Sequence, residues 1–238
     1  MKKHIPNFIT SLNLLTGCIG IGFLIINRLD TTTAAWCIGI AAIFDFLDGM
    51  AARLLNAKSP IGKDLDSLAD VVSFGVLPGF IMFSLLENCF IDSEGWIAYI
   101  PFVSFLIPVF SALRLAKFNH DHRQTDSFIG LPTPANALFV GSIPLLLAYP
   151  SERLFIISSI FANPGFLVML ALLLSFLLIS PIPMFSLKFK DLSWKKNSFQ
   201  YIFLLLSLIL LILFYYSALP IIIFLYILLS IIKIPAKK

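Results

Sequence analysis

Long apolar runs, separated by short polar segments, constrain this chain more than any other feature of its sequence. The run from Tyr201 to Ile232, for example, contains no charged residue and no glycine. A lipid bilayer offers no hydrogen-bond partner to an open backbone, so runs of this length cross it as helices. With 59% hydrophobic residues in a length of 238, the chain is predicted to be an all-α, polytopic helical membrane protein with about eight transmembrane helices. The predicted spans lie near residues 8–26, 34–55, 66–86, 96–117, 134–149, 164–185, 201–216 and 219–233.

The basic residues are distributed unevenly over the segments between these spans. If the N-terminus is cytoplasmic, 15 of the 17 Lys and Arg residues fall on the cytoplasmic side, and only Arg28 and Arg153 fall outside. Short cytoplasmic loops are enriched in basic residues in this way. We therefore expect the chain in the inner, cytoplasmic membrane with both termini in the cytoplasm. The net charge of +4 then reflects attraction to the inner leaflet, and no nucleic-acid partner is expected because there is no basic domain to hold one.

Four aspartates lie where the predicted spans should contact hydrocarbon. Asp45 and Asp48 are three residues apart in the second span, and Asp66 and Asp70 are four apart in the third, so each pair occupies one helical face. The turn between the two spans, Asn56 to Lys63, is short, which favours antiparallel neighbouring helices. Within it, Ser59 and Pro60 are the predicted N-cap and first residue of the third helix. Their cytoplasmic ends are thus expected to bring the four carboxylates together. A carboxylate at this depth is costly unless it is paired, protonated, hydrated or bound to a metal.

A divalent cation would offset the repulsion among four such acids. An all-oxygen set without His or Cys favours Mg2+ or Mn2+ over zinc. Because Mg2+ in proteins often completes its shell with substrate phosphates, the cluster indicates phosphoryl-type chemistry. Two other interpretations remain open on spacing alone: an ion- or proton-transport path, and aspartates held by buried hydrogen bonds.

The residues around the aspartates suit a phosphorylated ligand. Gly49 and Ala52 leave one face of the second helix without large side chains, and Gly62 does the same near the start of the third helix. Small residues are also common where membrane helices pack, so they are weak evidence by themselves. Arg53 adds a guanidinium whose planar fork suits phosphate. Together these residues predict a phosphate-binding surface beside the carboxylates.

The spacing of these residues is Asp45-x-x-Asp48-Gly49-x-x-Ala52-Arg53-x8-Gly62-x3-Asp66-x3-Asp70. It matches every fixed position of the signature of the CDP-alcohol phosphatidyltransferase family, which the chain resembles. The resemblance implies a six-helix catalytic core, usually a homodimer, with one or two divalent metal ions held by the aspartates. It further implies that Asp45, Asp48 and Asp66 bind the metal, with Asp70 as the general base and a fourth metal contact. The residues it implies at the CDP moiety are Gly49, Ala52, Arg53 and Gly62.

Three further stretches indicate which alcohol accepts the phosphatidyl group in a transferase of this kind. They are "IPNFITSLNLLTGCIGI" near the start, "SLADVVSFGVLPG" in the third span, and "ALRLAKFN" followed by "FIGLPTPANA". They resemble one branch of that family, the membrane-bound phosphatidylserine synthases of bacteria and archaea. The resemblance covers roughly residues 5–145 and implies CDP-diacylglycerol and L-serine as substrates. One departure is visible, since Lys117 stands where that branch has arginine, so that a bidentate contact there would become a point charge.

Polar residues recur at every third position along the start of the first helix. Asn7, Thr10 and Asn13 form this stripe, at the same predicted depth as the aspartates. We expect it to bind the nucleotide or the phosphates of CDP-diacylglycerol. For each residue singly, a hydrogen-bonded seam between helices is an equally good interpretation.

The acceptor is expected to meet residues of the fourth and fifth spans. Arg114 and Lys117 are three apart at the cytoplasmic end of the fourth span, where they could hold a lipid phosphate or the acceptor carboxylate. Anchoring by the positive-inside rule is the alternative for both. Asn136 is predicted to point into the bundle if the fifth helix begins at Pro134, and there it would help to shape the acceptor pocket.

The remaining chain is expected to support this core. Residues 1–238 are predicted to form a single integral membrane domain, with residues 1–186 as the catalytic core and residues 187–238 as a basic loop and a C-terminal helical hairpin. The composition of the hairpin indicates lipid-facing support or dimer packing. Residues 154–163 are too short to span a bilayer and are expected to form an interfacial or re-entrant segment.

The predicted activity is the transfer of a phosphatidyl group from CDP-diacylglycerol to L-serine, giving phosphatidylserine and CMP in phospholipid biosynthesis. The same chemistry with glycerol 3-phosphate or inositol as acceptor is an alternative. An ion-coupled transporter is the alternative of a different class, and it predicts inverted repeats, which the sequence does not show.

Overall fold

The structure, a computed structural model, describes residues 4–26, 30–57, 59–120, 128–150, 155–184 and 194–232. Almost all of these residues are helical, which confirms the predicted all-α membrane architecture. The exceptions include two strands of two residues each, which pair antiparallel. The elements are α1 Ile5–Ile26, α2 Thr31–Leu54, α3 Pro60–Val71, α4 Leu77–Phe90, α5 Leu106–His120, β1 Phe128–Ile129, α6 Thr133–Ala148, α7 Phe155–Phe161, α8 Pro164–Ile179, β2 Pro183–Met184, α9 Trp194–Phe214 and α10 Ala218–Ile232, with 3-10 segments at Gly95–Phe105 and Tyr215–Ser217.

The third predicted span is longer than the sequence indicated. A π-helical turn, Val72–Val76, joins α3 to α4 without a break, so that one helix runs over Pro60–Phe90 instead of residues 66–86. The polar residues of its first turns lower the hydropathy there, so hydropathy places the start too late, whereas the capping signal at Ser59 places it correctly. The Ser59 hydroxyl accepts the Gly62 backbone N–H at 3.0 Å, which confirms the predicted N-cap.

Five helices among the described residues are long and apolar enough to cross a membrane. They correspond to the first four predicted spans and to the seventh, which runs over Asn197–Phe214 after a kink at Asn197. The helices α6, α8 and α10 are apolar but shorter. The prediction of eight crossings therefore stays a prediction, while membrane association follows from these apolar helices.

The core lies between α2, α4, α5, α6 and α8. Gly141 lets α6 approach α2 closely, because a Cβ there would lie 3.1 Å from the Ile38 Cδ1 atom. Such close approach is how helices associate in a bilayer, where apolar burial alone gives no preference. Large hydrophobic side chains such as Ile43 and Phe46 stay exposed on the outer surface, as expected of lipid-facing positions. The largest fully buried side chains of the core include Phe74, Ile38, Leu77, Ile81, Met82, Leu86, Ile107 and Leu146.

The segment predicted at residues 154–163 contains a separate helix of seven residues, α7. It ends before Asn163, whose side chain accepts the Phe166 backbone N–H at 3.1 Å and caps α8. A helix of this length does not span a bilayer. Its interfacial or re-entrant placement remains a prediction.

The C-terminal hairpin formed by α9 and α10 packs against α6. Phe203 and Tyr226 are buried in the core with their ring centroids 5.9 Å apart, while Leu205 and Ile212 remain exposed. The hairpin therefore has a protein-facing side and an apolar outer side. The basic loop that precedes it is predicted at residues 188–196; residues 188–193 lie outside the described residues, and residues 194–196 belong to the first turn of α9 instead of a loop.

Candidate active site

The four aspartates come from two neighbouring parts of the bundle. Asp45 and Asp48 lie in the last turns of α2, and Asp66 and Asp70 lie in α3. Between them, Asn56 adopts a positive φ of 49°, a conformation that asparagine tolerates better than most residues and that ends the helix. The helix α1 packs against both α2 and α3, so the aspartate-bearing segments face each other beside it.

Three of the four carboxylates converge closely. One oxygen atom from each of Asp45, Asp48 and Asp66 lies within 4.8 Å of the others. Asp48 is 6% exposed, while Asp45 and Asp66 are half-buried. Three anions this close repel each other strongly in surroundings of low dielectric. A cation between them resolves that repulsion, and an all-oxygen donor set fits Mg2+ or Mn2+.

Asp70 stands apart from this group. It lies one turn beyond Asp66 on α3, is 8% exposed, and has a carboxylate oxygen with no hydrogen-bond partner among the described residues. Arg114 of α5 is close enough to Asp70 for their opposite charges to attract each other. Asp70 thus lies one turn further along α3 than Asp66 and is not one of the three carboxylates that converge.

A cavity of about 510 Å³ opens beside the converging carboxylates. A volume of this size accommodates a small organic ligand or a nucleotide. We call it the glycine-lined cavity, because Gly49 and Gly62 form part of its wall. Its lining residues are Pro6, Asn7, Thr10, Asp48, Gly49, Ala52, Ala57, Ser59, Pro60, Gly62, Lys63 and Asp66.

The two glycines shape this cavity differently. A Cβ on Gly49 would meet only the Arg53 Nη2 atom, at 4.0 Å, so helix packing gives no reason for a glycine there. A Cβ on Gly62 would lie 3.0 Å from the side-chain oxygens of Asn7 and Ser59, so this position needs a small residue. Gly49 therefore leaves open volume next to Asp48, and Gly62 allows α3 to approach α1.

Five of the seven residues predicted to bind CDP-diacylglycerol line the cavity, and two do not. Arg53 is exposed, and its Nε donates to the Gly49 carbonyl oxygen at 2.9 Å, which holds the guanidinium over the helix. Asn13 is fully buried away from the cavity. The sequence reasoning also missed Lys63, which lines the cavity and donates to the Asn119 carbonyl oxygen at 3.2 Å. The five lining residues are Asn7, Thr10, Gly49, Ala52 and Gly62.

A second polar group lies between α5 and α6. Arg114 is 6% exposed and donates from Nη1 to the Thr133 hydroxyl at 2.9 Å. Its Nε has no partner among the described residues, and neither amide atom of the fully buried Asn136 has one. We call Arg114, Thr133 and Asn136 the α5–α6 polar cluster. Thr133 was not predicted, although its place between two prolines at the start of α6 is a visible signal.

Lys117 does not join this cluster. It is exposed, while Arg114 three residues earlier is buried. A separation of three residues turns a helix by about 300°, which is enough to place one side chain inside and the other at the surface. The structure thus separates the two basic residues that the sequence grouped together.

Comparison with known proteins places the chain among membrane-bound transferases. The sequence model of a family described as CDP-alcohol phosphatidyltransferase matches residues 3–213. A CDP-diacylglycerol–serine O-phosphatidyltransferase of Helicobacter pylori is 34% identical over 212 residues, which are 86% of this chain and 80% of the relative. Proteins of the same name from Bacillus subtilis and Methanocaldococcus jannaschii are 34% identical over 151 residues and 36% identical over 146 residues. These two alignments cover 62% and 61% of this chain, and 76% and 63% of the respective relatives.

Proposed function

The chain belongs to the CDP-alcohol phosphatidyltransferase family, and we propose that it transfers a phosphatidyl group from CDP-diacylglycerol to L-serine. The products are phosphatidylserine and CMP, a step of phospholipid biosynthesis. The observation that carries this function is the convergence of Asp45, Asp48 and Asp66, of which Asp48 and Asp66 line the glycine-lined cavity. The relatives named for serine transfer, one of them similar over 86% of the chain, support serine as the acceptor.

The donor occupies the glycine-lined cavity. Open volume at Gly49 receives the nucleotide, Ala52 and Gly62 continue this wall, and the Asn7 amide offers hydrogen bonds. Lys63 at the cavity wall and Arg53 near its rim carry the positive charge that a diphosphate requires. Asp45, Asp48 and Asp66 would hold Mg2+ or Mn2+, with Asp70 as a further contact. When bound, the metal neutralises the diphosphate and stabilises the charge that develops on the departing CMP.

Asp70 is the general base. It accepts the proton of the serine hydroxyl while the serine oxygen forms a bond to the phosphatidyl phosphorus, and the bond from that phosphorus to CMP breaks. Its burial and its position beside Arg114 support this role. A carboxylate aimed at one proton-bearing group in a water-poor site is well suited to general-base catalysis.

The α5–α6 polar cluster recognises the acceptor. The Arg114 guanidinium binds the serine carboxylate, and its unpartnered Nε is free for that contact. The Asn136 amide binds the remaining polar atoms of serine, since a buried amide without partners is costly unless a ligand completes it. Lys117, exposed near the same end of α5, contacts a lipid phosphate.

The enzyme works in the inner, cytoplasmic membrane with both termini and the active site on the cytoplasmic side. The distribution of 15 of its 17 basic residues supports this orientation. Residues 1–186 form the catalytic core, and residues 187–238 form the basic loop and the hairpin. The chain forms a homodimer, as the family resemblance implies, and the exposed apolar faces of its helices leave room for one.

The purified full-length protein tests this function directly. It is incubated with CDP-diacylglycerol, Mg2+ or Mn2+, and separately labelled serine, glycerol 3-phosphate and inositol. Label is expected in lipid only from serine, with equimolar CMP, and a metal chelator should stop the reaction. Label from glycerol 3-phosphate or inositol would contradict serine and keep the chemistry. If no acceptor is transferred while the protein is folded, the ion-coupled transporter becomes the better interpretation.

A further inference from the structure

We propose that Thr10 and Asn13 of α1 are positioning residues for the carboxylates, Thr10 for Asp48 and Asn13 for Asp70. This gives the first helix a role in orienting the catalytic acids, in place of the nucleotide contact that the sequence predicted for both residues. The proposal rests on the proposed function, because it assigns these residues to the same reaction. Asn7 remains the residue of this stripe that faces the nucleotide.

The contact between Thr10 and Asp48 is direct. The Thr10 Oγ1 atom lies 2.6 Å from the Asp48 Oδ2 atom and 3.0 Å from the Pro6 carbonyl oxygen. Thr10 is 3% exposed and Asp48 is 6% exposed, so water does not compete for the bond. A hydroxyl donating to a carboxylate makes a short, charge-assisted hydrogen bond. The bond restricts the rotation of the Asp48 carboxylate, which converges with those of Asp45 and Asp66.

Asn13 stands in a similar relation to Asp70. Both amide atoms of Asn13 and the Asp70 Oδ1 atom are buried without a hydrogen-bond partner among the described residues. Asn13 is fully buried, which removes it from any ligand in the cavity. An amide donor next to a base can hold its carboxylate in one orientation, and such a bond would satisfy buried atoms of both residues that have no other partner.

The backbone of α1 is fixed against the helix that carries Asp70. The Ser73 hydroxyl, in the π-turn just after Asp70, donates to the Asn13 carbonyl oxygen at 3.0 Å. One turn further along α1, a Cβ on Gly17 would lie 2.9 Å from the Ser73 Cα atom. The two helices therefore approach each other closely, which fixes the backbone of Asn13 relative to the π-turn that follows Asp70. Single π-turns inside longer helices are frequent at functional sites.

The Thr10 part is tested with Thr10→Val, which keeps the shape of the side chain and removes the hydroxyl. Thr16→Val is the matched control, since the Thr16 hydroxyl donates only to the Leu12 carbonyl oxygen of the same helix. Removing a group that orients a metal ligand typically costs about 10- to 100-fold in metal affinity or activity. We expect Thr10→Val to raise the Mn2+ concentration for half-maximal activity about tenfold, Thr10→Ser to restore it, and Thr16→Val to leave it unchanged.

A second measurement does not depend on turnover. Mn2+ alone should raise the melting temperature of the wild-type protein and of Thr16→Val, and it should raise that of Thr10→Val only at higher concentration. If Thr10→Val keeps the wild-type Mn2+ response in both measurements, the positioning role of Thr10 is wrong. That result would leave the proposed function intact, because the wild-type protein would still transfer serine.

The Asn13 part is tested by comparing Asn13→Ala with Asn7→Ala. A positioning role predicts that Asn13→Ala lowers kcat about tenfold or more and leaves KM for CDP-diacylglycerol within about twofold. Asn7→Ala, whose side chain lines the cavity, is expected to raise that KM instead. If Asn13→Ala raises KM as Asn7→Ala does, Asn13 contacts the nucleotide and the proposal is overturned. Transfer of serine by the wild-type protein again separates this outcome from failure of the proposed function.

Discussion

The glycine-lined cavity, which Asp48 and Asp66 help to line, and the α5–α6 polar cluster are built in opposite ways. The cavity has a volume of about 510 Å³ and keeps open space at Gly49. The cluster is closely packed, with Thr133 and Asn136 fully buried and Arg114 nearly so. The cavity thus offers open space, whereas the cluster offers buried polar groups with little space around them.

This difference corresponds to the two substrates. A nucleotide with a lipid tail is large, so the open cavity provides space for it. Serine is small and polar, so it is recognised by hydrogen bonds, and each unpartnered buried group costs about 1–3 kcal/mol until a ligand satisfies it. A site built on such groups rejects acceptors that lack matching atoms. The comparison predicts that substitutions on the two sides affect the two substrates separately.

The largest effect is expected between the two regions, at Asp70. Asp70→Asn removes the base and keeps the shape of the side chain, so turnover should be abolished, a loss of about 10²- to 10⁴-fold for a general base. Binding of CDP-diacylglycerol should persist, which equilibrium binding to the purified protein measures. Asp64→Asn is the matched control, since Asp64 is exposed on the same helix. An active Asp70→Asn enzyme would refute the assignment of the base.

On the acceptor side, Arg114 is expected to have the next largest effect. Arg114→Lys keeps the charge and loses the planar fork and the bond to Thr133. A hydrogen bond to a charged group contributes about 1.5–3 kcal/mol, so KM for serine should rise about 10- to 100-fold. Steady-state kinetics with each substrate varied in turn measure this. A rise in KM for CDP-diacylglycerol with none for serine would show that Arg114 serves the donor.

The sequence predicted the aspartates well because their spacing is local. Residues three or four apart lie within about 60° of each other around a helix, so Asp45 and Asp48, and likewise Asp66 and Asp70, could be paired from the sequence. The Ser59 cap was also predictable, since the bond to the Gly62 N–H lies within one turn. These features depend on residues that are close along the chain.

Prediction from the sequence failed for two kinds of feature. One is the direction of side chains spaced by three residues along a helix, and the other is contact between residues far apart in the sequence. Steps of three residues fall short of a full turn by about 60° each, so Asn13 faces about 120° away from Asn7 and is fully buried instead of lining the cavity. The π-turn at Val72–Val76 further changes the direction in which the following side chains point, and no local sequence signal predicts it. The bond between Arg114 and Thr133 joins two helices, and periodicity along one helix cannot reveal it.

On the donor side, Gly49 offers a smaller and more selective test. Gly49→Ala places a methyl group in the cavity, where it contacts no protein atom more closely than 4.0 Å. Stability should therefore be unchanged or slightly higher, since alanine favours helix over glycine by about 0.5–1 kcal/mol. KM for CDP-diacylglycerol should rise several-fold, while KM for serine stays the same.

Gly39→Ala is the matched control for this substitution. Gly39 lies on the same helix, and a Cβ there also meets nothing within 4 Å, but it does not line the cavity. It should show the gain in stability without the change in KM. Equal kinetics for the two variants would mean that the open volume at Gly49 does not receive the donor.

The smallest effect is expected at Lys117, which marks the outer limit of the acceptor side. Lys117 is exposed, and an exposed charge contributes about 0–1 kcal/mol to a contact with another charge. Lys117→Gln should therefore raise KM for CDP-diacylglycerol by about fivefold at most, an effect that added salt reduces, and it should leave KM for serine unchanged. Kinetics at two ionic strengths measure both effects. If KM for serine rises as it does in Arg114→Lys, the acceptor site extends to the surface of α5, and the division between an open donor side and a buried acceptor side would have to be redrawn.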